Sequence, residues 1–174
     1  MSLPFFTIGH STRSIPDFVD LLRIGQVEMV IDIRTVPRSR TNPQYNEDVL
    51  AKALAEYQVA HTRIAALGGL RSRVHEVPPE VNGWWENRSF HNYADYALSG
   101  EFKTGLEELM ARGHERRTAV MCSEAVWWRC HRRIVADHLI ALGEAVFHLM
   151  DRNREEPARL SAGAALTNGV LTYP

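Results

Sequence analysis

The chain has 174 residues, of which 45% are hydrophobic and 24% charged, a composition typical of one soluble globular domain. Its formal net charge of −1 excludes a protein that relies on an overall basic field to bind nucleic acid. The sequence lacks an apolar stretch of the roughly 20 residues that span a bilayer, and its first residues do not resemble a secretory signal. We therefore expect a cytoplasmic protein without a membrane partner, whose two cysteines are free thiols or metal ligands.

Strands and helices are predicted to alternate along the first half of the chain. An apolar strand at 5–8 precedes a helix that Ser14 caps, and a second apolar strand spans 27–33. The near-continuous apolar character of this second strand indicates burial on both faces, as in a parallel sheet. A helix capped by Asn46 and a weaker strand at 61–65 follow.

The alternation continues after an irregular region at 71–92. A helical apolar stripe leads to Gly113, which is predicted to end that helix. The short apolar run at 118–121 predicts a buried strand that ends at Cys122. The next helix is expected to begin between positions 129 and 133, so Cys122 should lie at a strand end that faces a helix start.

This pattern favours a single α/β domain over residues 1–150, with a last strand at 145–150. We expect a doubly wound, mostly parallel sheet of the Rossmann or flavodoxin-like three-layer kind, with helices on both faces. The first and fourth strands are expected to be neighbours at a topological switch point. Residues 151–174 are predicted to form a tail that is loose or adds an edge strand at 170–172.

Several short motifs are spread along the chain: residues 7–12 (TIGHST), 32–34 (DIR), 37–40 (PRSR), 42–43 (NP), 67–69 (LGG), 93–96 (YADY), 121–124 (MCSE) and 130–132 (CHR). In combination they resemble the domain-of-unknown-function 488 family over most of the chain up to position 150. The resemblance implies an α/β domain and marks motif positions. Because that family has no settled activity, the resemblance does not indicate which substrate or cofactor the protein uses.

Polar side chains follow three of the predicted strands. His10 follows the first, Asp32 and Arg34 end the second, and Cys122 and Glu124 end the fourth. Parallel strands place their carboxyl ends at one edge of the sheet, where open α/β folds bind their ligands. The sequence therefore predicts one site that combines these side chains.

The first interpretation of this site is a reactive thiolate at Cys122. A helix N-terminus and nearby arginines lower the pKa of a thiol, His10 or His131 is available as a base, and Glu124 orients or transfers a proton. The loop of cysteine-dependent phosphatases has an arginine six positions after the cysteine, and that position is Trp128 here. That phosphate cradle is therefore not predicted, and a buried cysteine that ends a core strand is the alternative.

The second interpretation is an arginine-lined anion pocket. Lys52 and Lys103 are the only lysines among the 20 lysines and arginines, a bias that anion binding or the codon usage of a GC-rich genome explains. The predicted anion-binding set consists of clustered arginines and one aromatic residue: Arg34, Arg38, Arg40, Arg129, Arg132 and Tyr45. An ion pair of Arg34 with Asp32 or Glu124 is the structural alternative.

A metal site is the third interpretation. Zinc accepts ligands such as Cys122, Cys130 and His131. However, adjacent residues on a helix point about 100° apart, and the chain has no Cys-x-x-Cys pair. No metal is therefore favoured, and this ligand set is kept as a fallback.

The leading hypothesis is an enzyme that acts on a phosphate-bearing substrate, either a nucleotide or a molecule related to nucleic acid. Cys122 serves as the nucleophile or as a polarised ligand, Glu124 orients a reacting group or transfers a proton, His10 is the base, and the arginines bind the anion. The same arginines without chemistry at Cys122 would instead give a non-catalytic module that binds nucleotide or nucleic acid. A Cys/His metal-binding protein remains the third possibility.

Overall fold

The structure, a computed structural model, describes residues 2–174. The strands are β1 (Phe5–Gly9), β2 (Met29–Asp32), β3 (Ala60–Arg63), β4 (Thr118–Cys122), β5 (Val146–Met150), β6 (Arg154–Pro157), β7 (Ala165–Thr167) and β8 (Val170–Thr172). The helices are α1 (Ile15–Ile24), α2 (Glu47–Ala55), α3 (Arg88–Tyr96), α4 (Gly100–Glu115) and α5 (Arg132–Ala141). Among the described residues, no helix is both long enough and apolar enough to cross a bilayer.

Six strands form one sheet in the order β3-β2-β4-β1-β5-β6, in which β6 is antiparallel and the other strands are parallel. The chain moves from β1 outward to β3 and then returns through β4 to β5, on the other side of β1. This reversal of direction makes the sheet doubly wound, as predicted. The expected neighbourhood of the first and fourth strands is also confirmed, with Gly9 opposite Cys122.

Helices cover both faces of the sheet, which gives the expected three-layer architecture. One core joins the sheet to α1 and α2 through residues such as Ile8, Phe18 and Leu50. The other core joins the opposite face to α3, α4 and α5 through residues such as Leu109 and Ile134. Each of these side chains is fully buried, and such burial is worth about 1.5–3 kcal/mol per large apolar side chain.

The helix starts follow the sequence in part. Ser14 caps α1 as predicted, because its Oγ accepts a hydrogen bond of 3.2 Å from the N–H of Asp17. Asn46 precedes α2, but its side chain instead accepts a hydrogen bond of 2.8 Å from the N–H of Ser39. That contact fixes the arginine-rich loop rather than the helix. The last helix begins at Arg132, within the expected interval.

The C-terminal residues pack on the domain. β6 adds an antiparallel edge strand to β5, whereas residues 170–172 pair with β7 in a separate hairpin and do not join the sheet. The Tyr173 hydroxyl donates to Asp137 on α5 at 2.7 Å, and the Tyr173 N–H donates to Asn82 at 2.9 Å. The tail is therefore tied to the helix that begins next to the predicted site.

Gly113 lies inside α4, so the prediction that it ends the helix is wrong. A Cβ at this position would overlap with the ring of Phe5, which is fully buried in the central strand. The glycine therefore allows close packing of α4 on the sheet, and the helix continues to Glu115.

We expect Gly113→Ala to lower the free energy of unfolding by about 1–3 kcal/mol, because the added methyl group overpacks the core at Phe5. Urea denaturation followed by circular dichroism measures this change. Gly100→Ala is the matched control, since a Cβ there has no neighbour within 4 Å among the described residues. Equal stability of the two variants would contradict the close packing.

Candidate functional site

The carboxyl ends of β1 and β4 are joined side by side. The N–H of His10 donates to the carbonyl of Cys122 at 2.9 Å, which extends the pairing beyond β1. Gly9 allows this approach, because a Cβ there would overlap with the backbone carbonyl of Glu124. The glycine and histidine of the first motif are therefore held against the loop that follows Cys122.

A cavity of about 840 Å³ lies above this edge of the sheet. It brings together most of the predicted site residues: His10, Arg34, Arg38, Cys122, Glu124 and Arg129. Cys130 and His131, two of the fallback metal ligands, also line it.

Three predicted site residues do not line this cavity. Arg40 borders an adjacent hollow of about 1030 Å³, which shares Arg38 with the main cavity. Arg132 and Tyr45 are fully buried behind the cavity wall.

Arg34 is buried and held by protein groups. Its Nη2 pairs with Asp32 at 2.6 Å and also donates to the carbonyl of Tyr45 at 2.7 Å. Its Nη1 lies 3.3 Å from Nε2 of His10. The ion pair of Arg34 with Asp32, which the sequence analysis gave as the structural alternative to anion binding, is therefore present. It leaves Arg34 little freedom to move toward a substrate.

His10 is neutral and has a fixed tautomer. Its Nδ1 lies 2.8 Å from the carbonyl of Ser11, an atom that can only accept, so Nδ1 carries the hydrogen and Nε2 accepts from Arg34. The ring stacks on Tyr45 with centroids 4.2 Å apart. Burial lowers the pKa of His10 to about 4. The imidazole can therefore act as a base only when its contact with Arg34 opens.

Arg132 is a fully buried guanidinium at the start of α5. Its Nη1 lies 2.8 Å from Cys122 Sγ and donates to the carbonyl of Glu124 at 2.7 Å. Its other groups donate to the carbonyl of Ala125 and to the hydroxyl of Thr7. Within residues 2–174 it has no carboxylate partner. Burial lowers the pKa of Arg132 to about 9, so the side chain still carries its charge at neutral pH.

Thr7 and His148 hold Arg132 in place. Because the Thr7 hydroxyl accepts from Arg132, it donates its own hydrogen to Nδ1 of His148 at 2.6 Å. The ring of Trp127 stacks on His148 at 4.7 Å, and burial lowers the pKa of His148 to about 3. Sequence reasoning missed both Thr7 and His148. The available signal was a histidine inside an otherwise apolar strand.

The structure joins Cys122 and Cys130 in a disulfide, so the expectation of free thiols or metal ligands is wrong for the protein in this form. Cys122 ends β4, and Cys130 lies two positions before α5. A short helical turn at Trp127–Arg129 folds the intervening loop back, so that residues eight positions apart meet. Their Cα atoms are 7.5 Å apart.

The surroundings of Cys130 differ from those of Cys122. The N–H of Arg132 points to Cys130 Sγ at 3.4 Å, and Nδ1 of His131 lies 3.6 Å from the same sulfur. His131 donates through Nε2 to the carbonyl of Ile33 at 2.9 Å, so its Nδ1 has a free lone pair. Burial lowers the pKa of His131 to about 4. Cys130 therefore faces a neutral base and the first N–H of a helix.

The described residues contain no group of three His, Cys, Asp or Glu side chains arranged to hold a metal ion. The argument from helical spacing for Cys130 and His131 was wrong, because both residues precede the first residue of α5.

Two cations of the cavity wall are free to bind a ligand. Arg38 and Arg129 are exposed, and in the part of the chain that the structure describes neither forms an ion pair. Glu124, the carboxylate beside Cys122 in the sequence, is also exposed. The cavity therefore presents two positive charges and one carboxylate near a cysteine sulfur.

Comparison with known proteins identifies one family. The model of the family described as domain of unknown function DUF488 matches residues 14–139, well over half of the chain. The match confirms the resemblance found from the motifs, and it includes Arg34, Cys122, Cys130 and Arg132. No curated protein and no solved structure matches the chain.

The buried neutral histidines predict a loss of stability in mild acid. Burial is the main cause that lowers the pKa of His10, His131 and His138 to about 4 and that of His148 to about 3. Because these values lie below the pKa of about 6.5 in an unfolded chain, the unfolded state binds protons first. The contribution of these neutral histidines to the free energy of unfolding is therefore fully present above about pH 6.5, and it is lost as the pH decreases toward about 4.

Urea denaturation at about pH 7.5 and about pH 5 measures this effect. We expect a decrease of up to about 2 kcal/mol for each of the four histidines at the lower pH. His148→Gln should flatten the profile, whereas substitution of the exposed His75 by glutamine should leave it unchanged. Equal stability of the wild-type protein at the two pH values would contradict the assignment of neutral imidazoles.

Proposed function

The chain belongs to the DUF488 family, and we propose that it is an enzyme in which reduced Cys122 attacks a phosphate-bearing substrate, a nucleotide or a molecule related to nucleic acid. The observation that carries this proposal is the 2.8 Å contact between Cys122 Sγ and the fully buried guanidinium of Arg132. The description of the family names no activity, so the support comes from the geometry of the site.

A buried guanidinium favours an anion as its neighbour. The removal of such an ion from water is unfavourable by several kcal/mol unless a counter-charge lies close to it. Among the described residues, Arg132 contacts neutral oxygens and the sulfur of Cys122, and it has no carboxylate partner. Reduction of the disulfide allows Cys122 to supply this negative charge, since an adjacent arginine lowers the pKa of a thiol. The thiolate is the nucleophilic form of cysteine.

The lining of the cavity supports an anionic substrate. Arg38 and Arg129 are exposed there, and arginine forms paired, charge-assisted hydrogen bonds with phosphate. Phe90 adds an aromatic surface on which a base can stack, and Asn87 and Ser89 add neutral hydrogen-bonding groups. This combination of charge and aromatic surface favours a nucleotide over a simple carboxylate.

Glu124 is the side chain that we assign to proton transfer. Its backbone carbonyl is bonded to Arg132, and its exposed side chain lines the same cavity as Cys122. When the thiolate bonds to phosphorus, the P–O bond to the leaving group breaks, and the leaving group takes a proton from a water molecule that the Glu124 carboxylate orients. The same carboxylate then activates the water that breaks the P–S bond and releases the product. His10 is engaged by Arg34, so we assign it to positioning rather than to catalysis.

A non-catalytic binding module is the second candidate. The hollow beside Arg40 shares residues 36, 38 and 39 with the main cavity, so an extended anionic chain can contact both. Binding of this kind depends strongly on salt concentration and does not require Cys122.

We expect Arg38→Ala and Arg129→Ala each to weaken the binding of inorganic pyrophosphate roughly tenfold, because a charge-assisted hydrogen bond is worth about 1.5–3 kcal/mol. Isothermal titration calorimetry on the reduced protein measures the affinity. Arg159→Ala removes an exposed arginine outside the cavity and is the matched control. If all three variants bind equally, the anion does not occupy this cavity.

We expect Cys122→Ser to abolish turnover and to retain pyrophosphate binding, because serine lacks a thiolate but preserves the size of the side chain. Mass spectrometry of nucleotides and short oligonucleotides incubated with the reduced proteins detects turnover. Products that form with wild type alone support the enzyme. Binding without products supports the binding module, and the absence of both contradicts the two candidates.

A further inference from the structure

Two sulfur atoms with different surroundings meet at the wall of the cavity. Cys122 Sγ contacts the positive guanidinium of Arg132, and Cys130 Sγ contacts the neutral Nδ1 of His131 and a helix N–H. The first environment stabilises a thiolate, and the second provides a hydrogen-bond acceptor that can orient the S–H of a neutral thiol. This asymmetry is typical of a pair in which one cysteine reacts with an oxidant and the other completes the disulfide.

We propose that Cys122 and Cys130 are a redox-active pair that reduces hydroperoxides, with Cys122 as the attacking thiolate and Cys130 as the resolving thiol. This activity goes beyond the proposed function, because it needs no phosphate-bearing substrate and uses a second cysteine that the proposed function leaves idle. A disulfide between these two cysteines, the pairing found in the structure, would be the oxidised product of this reaction.

The reaction has two steps. The Cys122 thiolate attacks the terminal oxygen of a hydroperoxide; an S–O bond forms as the O–O bond breaks, and the leaving alkoxide takes a proton from water to give an alcohol. The Cys130 sulfur then attacks the sulfenic acid sulfur of Cys122, and the S–S bond forms as the S–O bond breaks. In the same step the proton of Cys130 passes by way of Nδ1 of His131 to the departing hydroxide, which leaves as water. An external dithiol restores both thiols by disulfide exchange and is itself oxidised.

The backbone of this structure suits the reduced pair better than the oxidised pair. The Cα atoms of the two cysteines are 7.5 Å apart, wider than the separation of about 4.4–6.8 Å usual for disulfides. Two unbonded thiols therefore fit between β4 and α5 without displacement of either element. Both cysteines line the cavity, which is large enough to admit a hydroperoxide.

The test uses the full chain, reduced with dithiothreitol and freed of it, and then treated with one equivalent of hydrogen peroxide at neutral pH. The sequence has two cysteines, so intact-mass measurement and differential alkylation report on this pair alone. We expect loss of both thiols, a peptide cross-link between Cys122 and Cys130, and recovery of both thiols with fresh dithiothreitol. Peroxide consumption should be at least roughly tenfold faster than with free cysteine at the same pH, because more of the thiol is ionised.

Matched serine variants separate the two roles. Cys130→Ser should leave Cys122 as a sulfenic acid that dimedone traps, and Cys122→Ser should reduce the rate of peroxide consumption at least roughly tenfold. Arg132→Gln should shift the pH profile of the peroxide reaction to higher pH, whereas Arg132→Lys retains the charge and should shift it less. If these buried variants fail to fold, the pH profile of Cys130→Ser measures the pKa of Cys122 directly.

The proposal fails if peroxide leaves both thiols free, if Cys122 passes to the sulfinic acid without the cross-link, or if the rate equals that of free cysteine. None of these results bears on the turnover of phosphate-bearing substrates, which is measured under reducing conditions. The two proposals can also fail separately in the other direction. If the cross-link forms but the protein transforms no nucleotide, the redox pair is supported and the proposed function fails.

Discussion

The buried guanidinium of Arg132 is the interaction on which the site depends. It reaches from the start of α5 to the hydroxyl of Thr7 on β1, to the sulfur of Cys122 on β4 and to the carbonyls of the loop that follows β4. Each of these groups can accept a hydrogen bond, which suits a guanidinium because it has five N–H donors in fixed directions and no acceptor. One side chain thereby fixes the relative positions of two central strands, a loop and a helix, while its charge sets the chemistry of the adjacent sulfur.

Neutral histidines make this concentration of positive charge tolerable. The lone pair of His10 faces Arg34, that of His131 faces the sulfur of Cys130, and that of His148 faces the hydroxyl of Thr7. A proton on any of these nitrogens would add charge to a buried region that already contains Arg34 and Arg132. Burial and the neighbouring cations therefore act in the same direction, and they keep these imidazoles available as acceptors at neutral pH.

The sequence was informative where local pattern decides structure. The apolar run before Cys122 predicted a strand end there, and parallel topology then placed Cys122 beside His10. The contact with Cys130 was not predictable, because it depends on a loop held by the stacking of Trp127 on His148, a residue of the next strand. Three arginines near the start of α5, Arg129, Arg132 and Arg133, likewise look alike in sequence. Burial distinguishes Arg132 from them, and burial is a property of the packed fold.

The central position of β1 also determines when the site can form. Phe5 pairs with Thr118 on one side and with Val146 on the other, so both neighbours of the first strand come from the last third of the chain. Closure of such long loops is entropically unfavourable and slows folding. Until β4 and β5 arrive, a strand with the buried side chains of Phe6 and Ile8 has two open edges, which are templates for aggregation. During synthesis, the residues of the site on β1 therefore stay apart from those on β4 until the last third of the chain has been made.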